Sequence, residues 1–345
     1  MKLVTYLVDP VQRTESYGAL VPGATVDEIL DLPAAFASFE KDHGRLADAA
    51  SVAGRYGDSL LELIRREPIA MPVARELLER AKAGKLPSAI DGAPLRRPLP
   101  TTKLLSPLPR PPSMRDGYAF RQHVETARRN RGLEMIPEFD QFPVFYFTNH
   151  QAVIGPGPLR VMPLHLERLD FELEAAIVIG RGGRNLRAQD ADAHVFGMTV
   201  MNDFSARTLQ MEEMKLSLGP AKGKDFATAL GPVLVTMDEL ESRTKRGPDG
   251  CSFDLAMTAH LNGVQLSHGN VKDMNWTFAQ ILERASYGVE LFPGDVIGSG
   301  TCGTGCLLEL NGSKITHDQW LQLGDVITLE IELIGRLVNE VTAAT

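Results

Sequence analysis

Apolar side chains return along this chain in two rhythms. Leu3 to Val8 and Tyr17 to Val21 are short runs rich in the residues that favour strands, and Asp9-Pro10 ends the first of them. After these, Leu60, Leu61 and Leu63-Ile64, then Val73, Leu77, Leu78 and Ala81, recur at helical spacing. Met114 to about Arg131 and Trp276 to Ser286 read as helices, and a short helical stretch ends near His194. Phe142 to Phe147 reads as an aromatic strand. Leu169 to Ile179, closed by Gly180, reads as a buried strand. Gly197 to Met201, Ala229 to Thr236 and Leu255 to Leu261 follow as strands, and Asn262-Gly263 signals a hairpin turn. Leu307-Leu308-Glu309-Leu310 places one acid inside a late apolar strand. Seven of the 22 prolines fall between Pro94 and Pro112, a density that forbids helix and central strand. The expected division is a small N-terminal domain over 1–92, a Pro-rich linker over 93–112 and the main domain over 113–345.

Composition narrows the class of partner. Of 345 residues, 43% are hydrophobic and 23% charged, as in an ordinary globular protein. A formal charge of -8 argues against nucleic acid or an anionic membrane surface and for a cation or a small substrate. The three cysteines, Cys251, Cys302 and Cys306, lack C-x-x-C spacing and read as reduced thiols in the cytoplasm. The N-terminal run lacks the apolar core and cleavage site of a signal peptide, and no segment approaches the roughly 20 apolar residues needed to span a bilayer. Neither a dinucleotide fingerprint nor a P-loop occurs.

The chemistry lies in the acids. In one strand Glu172 and Glu174 share a face, roughly 7 Å apart. If buried, they need a shared proton, basic partners or a cation; the bland alternative is a solvated strand face. Asp116, Phe120 and His123 stand at i, i+4 and i+7, which on a helix puts Asp116 and His123 on one face; a capping acid and a structural histidine are the ordinary reading. Asp203, Arg207 and Gln210 repeat that spacing if Asp203 starts a helical turn, and the alternative there is an N-cap with a surface ion pair. Lys224 sits in the Gly219–Asp225 loop, and four glycines fall between Gly298 and Gly305. Together Asp116, Glu172, Glu174 and Asp203 are four acids at element ends, a set suited to a hard cation such as Mg2+ or Ca2+ and not to zinc.

Five separated blocks, in order, resemble the fumarylacetoacetate hydrolase family from about residue 100 onward. They are Arg115-Asp116-Gly117-Tyr118 with His123; Asp170-Phe171-Glu172-Leu173-Glu174; Asn202-Asp203-Phe204-Ser205-Ala206-Arg207 with Gln210; Gly223-Lys224-Asp225-Phe226; and Gly298-Ser299-Gly300-Thr301. The resemblance implies an α+β, mainly β fold: a mixed β-sandwich roll of the fumarylacetoacetase C-terminal type behind a small N-terminal α/β domain, working as a homodimer. It implies a divalent cation, Mg2+ first with Ca2+ or Mn2+ as alternatives, on Asp116, Glu172, Glu174 and Asp203. It makes His123 the base that activates water. Fumarylacetoacetase orients that histidine with a glutamate from a Leu-Glu-Leu strand, matching Glu309; smaller members use His-x-x-Glu, and the third position here is Thr126. Arg207, Gln210 and Lys224 match oxyanion-stabilising groups, and Tyr118, Tyr146, Arg207, Gln210 and Thr301 match substrate contacts. Arg128, Arg129 and Arg131 are candidates for holding a substrate carboxylate. The implied activity is metal-dependent hydrolysis of a carbon–carbon bond in a 1,3-diketo acid most like fumarylacetoacetate. Alternatives within the family are an acylpyruvase or fumarylpyruvate hydrolase, an oxaloacetate decarboxylase and a dienedioate isomerase.

Overall fold

The structure, a computed structural model, describes residues 1–9, 11–23 and 25–344; Pro10, expected to end the first strand, lies outside them. Ten strands form the path of one mixed sheet, in the spatial order Arg96–Pro98, Glu28–Asp31, Thr14–Val21, Lys2–Asp9, Val233–Thr236, Val195–Asp203, Leu173–Ile179, Val296–Gly298, Met114–Gly117 and Phe145–Phe147. Two short strands, Thr228–Leu230 and Val153–Ile154, attach beside Val195–Asp203. The N-terminal strands continue this sheet through Leu3, which pairs with Leu234. Pro98 is confined to the edge strand, where its missing N–H costs no ladder bond.

From Ala175 to Ile179 the strand Leu173–Ile179 is unbroken in its apolar character because both its faces are covered. Ala176 and Val178 point into a core shared with Phe36, Leu63 and Leu77 of the N-terminal helices. Ala175, Ile177 and Ile179 point the other way, into a core shared with Ala259, Leu329 and Leu337 of a second, five-stranded sheet. A strand clad on both sides has no polar face to alternate with. The helices Leu32–Asp42, Ala49–Tyr56 and Leu60–Arg65 start on side chains that accept an early amide: Asp31 from Ala34, Asp48 from Ser51 and Ser59 from Glu62. The expected turn at Asn262-Gly263 joins Ala256–Leu261 to Val264–Asn270, with φ of 51° and 81° as a two-residue hairpin requires. Trp276–Ser286 contains the helix Phe278–Ala285, begun by a Thr277/Gln280 capping box. The architecture is α+β with strands dominating the larger part, the three cysteines are free thiols, and no helix among the described residues is long and apolar enough to cross a membrane.

Several expected elements take a different form, each for a long-range reason. Met114–Gly117, which carries Asp116, is a strand and not the first turn of a helix. It is held in parallel register by Val296–Gly298 and antiparallel by Phe145–Phe147, so the helix begins only at Arg121 and ends at Arg129. Asp203 does not open a helical turn but ends the strand Val195–Asp203, paired to Thr228. Ser205-Ala206 then pairs with Leu169-Asp170, delaying the helix to Arg207–Met214. That pairing also splits the run Leu169 to Ile179 at Phe171-Glu172, so Glu172 stands in the break and not on one strand face with Glu174. Ala229 to Thr236 divides at Gly231-Pro232 into Thr228–Leu230 and Val233–Thr236. The late Leu-Glu-Leu segment is the helix Leu307–Gly312, not a strand, because the Asp170 carboxylate accepts the Leu307 amide at 2.7 Å and the Leu308 amide at 3.0 Å.

Candidate active site

Strand direction brings the four acids together. Met114–Gly117 runs parallel to Val296–Gly298, while Leu173–Ile179 runs antiparallel to it and Val195–Asp203 antiparallel again. The end of the first strand, the start of the third and the end of the fourth therefore lie at one edge of the sheet. Asp116, Glu174 and Asp203 occupy those ends, and Glu172 enters from the break beside them. One carboxylate oxygen from each of the four lies within 4.8 Å of the others, and all four residues are buried. Gly298 makes the approach possible: a Cβ there would sit 2.5 Å from Asp116 Oδ1 and 2.9 Å from Glu174 Oε2, inside contact distance of both.

The cluster is only partly neutralised by its own chain. Lys224 Nζ donates to Asp203 Oδ2 at 2.7 Å and to Glu172, and the Tyr146 hydroxyl donates to Asp203. Asp116 accepts from the Gly300 amide at 3.1 Å, and Glu174 from Thr301 Oγ1 at 3.3 Å. Burial, then the charge of Asp203, pushes the Asp116 carboxyl up to about 7. Glu174 is driven well above the carboxylate range by burial and by Asp116, and Asp203 is raised mainly by burial. Glu172 goes the other way: burial alone would raise it, but Lys224 and Arg207 outweigh that and hold it at about 2. Five carboxylates, the four acids and Asp170, share only the two cations Arg207 and Lys224, an excess of three negative charges if all are ionised. Glu174 Oε2 is buried with no hydrogen-bond partner among the described residues. An all-oxygen donor set with surplus charge and an orphaned oxygen fits a hard divalent cation.

Beside the acids, His123 Nδ1 and Glu309 Oε2 are 2.6 Å apart, both side chains buried, although 186 residues separate them. A proton on Nδ1, donated to Glu309, leaves Nε2 as the free base. Arg207 ties the two groups into one frame. Its Nε donates to Asp170 Oδ2 at 2.9 Å, Nη2 donates to Glu172 Oε1 at 2.7 Å and stands in an ion pair 2.8 Å from Asp170 Oδ2, and Nη1 donates to Gln210 Oε1 at 2.9 Å. Since Asp170 also caps the helix bearing Glu309, one carboxylate positions both the guanidinium and the dyad. Asp170 was given no role from the sequence; its only local signal is its place two residues before Glu172.

These groups face one cavity of about 360 Å³, lined by Asp116, His123, Glu172, Arg207, Gln210, Lys224, Thr301 and both expected tyrosines. The Tyr118 ring stands edge-on to His123 at 5.8 Å. Of the three candidate arginines only Arg131 lines the cavity. Arg128 Nε donates to the Glu134 carbonyl and Arg129 to Thr126 Oγ1 at 3.2 Å. Val144, Met211, Met214 and Leu308 supply an apolar wall.

The family model described as fumarylacetoacetate (FAA) hydrolase C-terminal matches residues 113–342. The chain is 29% identical over 336 residues to the oxaloacetate tautomerase YisK of Bacillus subtilis (strain 168), covering 95% of this chain and 98% of that protein. It is 30% identical over 296 residues to the fumarylacetoacetase of Oryza sativa subsp. japonica, covering 70% and 68% respectively. The solved fumarylacetoacetate hydrolase (EaFAH) from psychrophilic Exiguobacterium antarcticum superposes over 100% of both chains with a TM-score of 0.66 and 26% identity. With two thirds of its length matched by the family model, this chain belongs to the fumarylacetoacetate hydrolase family.

Proposed function

We propose that this protein is a metal-dependent hydrolase that cleaves a carbon–carbon bond in a 1,3-diketo acid. The observation that carries the reading is a buried His123–Glu309 pair whose histidine lines the same cavity as Asp116 and Glu172 of the four-acid cluster. A divalent cation on Asp116, Glu172, Glu174 and Asp203, Mg2+ first, would supply Lewis-acid polarisation of the two substrate oxygens. The chain's own groups account for the rest. His123, with Glu309 holding its ring, takes the proton of the attacking water. Of the five N–H bonds of Arg207, three are committed to Asp170, Glu172 and Gln210, and of the three of Lys224, two go to Glu172 and Asp203. Each retains at least one donor for a developing alkoxide, and Gln210, accepting through its oxygen, keeps its NH2 for the same purpose. Tyr118, Tyr146 and Thr301 contact the bound acid in this reading. Arg131, alone of its three neighbours at the cavity wall, takes a terminal carboxylate.

The second reading, tautomerisation of oxaloacetate, is favoured by the nearly full-length likeness to YisK. It uses the same base on a carbon-bound proton in place of water. The size of the cavity and its apolar wall support the longer diketo acid over four-carbon oxaloacetate. Product analysis with Mg2+ decides between them: a panel of fumarylacetoacetate, acylpyruvates and oxaloacetate should yield cleavage products from a diketo acid. Enol–keto interconversion of oxaloacetate with no cleavage of any diketo acid would overturn the hydrolase. A homodimer in the cytoplasm belongs to the same proposal, and light scattering that returned a single-chain mass would remove the dimer from it.

A further inference from the structure

One buried nucleophilic group next to the dyad has no part in this chemistry. Cys306 is fully buried at the N-cap of Leu307–Gly312, and its Sγ, one ring nitrogen of His123 and one carboxylate oxygen of Glu309 all lie within 4.8 Å of one another. This triad differs in kind from the acid cluster. Sulfur, nitrogen and one oxygen are the donors that zinc and cadmium select, whereas Mg2+ and Ca2+ select carboxylates. Three protein ligands with an open position are a complete zinc donor set, and tetrahedral bonds would hold the three atoms roughly 3.3–3.6 Å apart, a spacing that small side-chain shifts reach from atoms already within 4.8 Å of one another. The open side is available because His123 lines the cavity. The nearest cation, Arg207, is already paired with Asp170 and Glu172 and so opposes a second cation only weakly.

We infer that Cys306, His123 and Glu309 form a second metal site, selective for zinc-like cations and separate from the four-acid cluster, whose occupancy stops turnover. Coordination releases the thiol proton to solvent and places the thiolate, the imidazole lone pair and the carboxylate on the metal; no electrons are transferred. Burial keeps the free thiol protonated, well above its ordinary range, so without zinc the group is inert to oxidants and alkylating agents and does not disturb the dyad. Whichever ring nitrogen binds, the base is consumed: Nδ1 loses its bond to Glu309, or Nε2 loses the lone pair that receives a proton. Only this loss of turnover rests on the proposed role of His123; the site itself does not.

The test uses the full chain in saturating Mg2+. Adding Cd2+ should produce a thiolate-to-cadmium charge-transfer band at one equivalent in the wild type and in C251S and C302S. Stoichiometric Zn2+ should abolish diketo-acid turnover, and raising Mg2+ should not restore it. C306S, which keeps turnover in Mg2+ alone, should lack the band and need at least ~10-fold more Zn2+ for the same inhibition. Absence of the band in the wild type, its persistence in C306S, or inhibition relieved by Mg2+ would each overturn the site, and the wild-type spectrum decides even if C306S folds poorly. A thiolate band with turnover unchanged would uphold the site and overturn instead the assignment of His123 as base.

Discussion

Replacing Glu309 by glutamine tests the contact on which the proposed chemistry turns. The amide has the shape of the carboxylate and can still accept a hydrogen bond from His123, so the substitution removes charge with little change in volume. His123 Nδ1 faces Glu309 Oε2 at 2.6 Å, and both side chains are screened from solvent. A hydrogen bond to a charged partner in such a setting contributes about 1.5–3 kcal/mol. If that stabilisation is felt as the imidazole gains its proton, kcat falls by roughly 10- to 150-fold. His123→Ala removes the base itself and should cost about 100-fold or more. The two losses should not add, because a unit broken once has little left to lose, and the double variant should be no more than a few-fold worse than His123→Ala. The assay is steady-state turnover of a diketo acid at saturating Mg2+, with melting temperature and calorimetric Mg2+ binding measured on the same samples. Wild-type turnover per folded molecule in Glu309→Gln, together with a lowered melting temperature, would make Glu309 a structural acid and refute the reasoning. So would strictly multiplicative losses in the double variant.

Gly298→Ala places a methyl 2.5 Å from Asp116 Oδ1, so the acids must move apart by most of an ångström, and Mg2+ affinity by calorimetry should fall ~10- to 100-fold while the fold survives. Asp170→Asn weakens the hold on Arg207 and on the helix of Glu309 at once, and should lower both kcat and melting temperature where Glu309→Gln lowers mainly kcat. Exhaustive chelation should abolish activity and lower the melting temperature, since a cation that binds the assembled acids stabilises the folded state by mass action; no change in either would show that the cluster holds no cation. Away from the site, a hydrogen bond from Arg45, assisted by Tyr56, holds the buried Glu40 carboxyl at about 2, below its unfolded value of 4.5. A depressed carboxylate stabilises the fold above the unfolded pKa and loses that contribution as pH falls toward the folded one. Glu40→Gln should therefore cost about 1 kcal/mol at neutral pH, a figure reduced for the 38% exposure of Arg45, and nothing by about pH 2 in denaturant titrations.

Much of the frame was legible from local pattern, and the exceptions share one cause. Alternation and helical spacing found the strands near Leu3 and Tyr17, the helices through Leu63 and Leu77, and the hairpin at Asn262-Gly263, because each is specified by neighbours in the chain. The helical spacing misplaces Asp116 because a four-residue strand such as Met114–Gly117 exists only through its partners Phe145–Phe147 and, some 180 residues on, Val296–Gly298. Leu307 to Leu310 was misread for a related reason: a short apolar run is ambiguous by periodicity, and the group that tips it to helix is the carboxylate of Asp170. The family resemblance put Asp116 with the other acids and Glu309 with His123 even though the local elements were wrong, since it matches residues and is indifferent to secondary structure. The clamp of Asp170 and the clearance at Gly298 stayed hidden because both are properties of distances between segments.

The strand Val296–Gly298 lies between Met114–Gly117 and Leu173–Ile179, and this fixes when the centre can come into being during synthesis. Until Gly298 has left the ribosome, the strand carrying Asp116 has no partner on its inner side and cannot be held at its native distance from Glu174. A nascent chain ending between Asp203 and Gly298 carries all four acids yet has no assembled place for a cation. A cation on the proposed site would therefore bind after the sheet has closed by its own apolar contacts. Folding must pass through a late insertion of a central strand, a high-separation step of the kind that is slow and leaves edges exposed meanwhile. Arrested chains released at successive lengths should then acquire cation-dependent protease resistance abruptly, at a length just beyond the one that frees Gly298, and not gradually as each acid emerges.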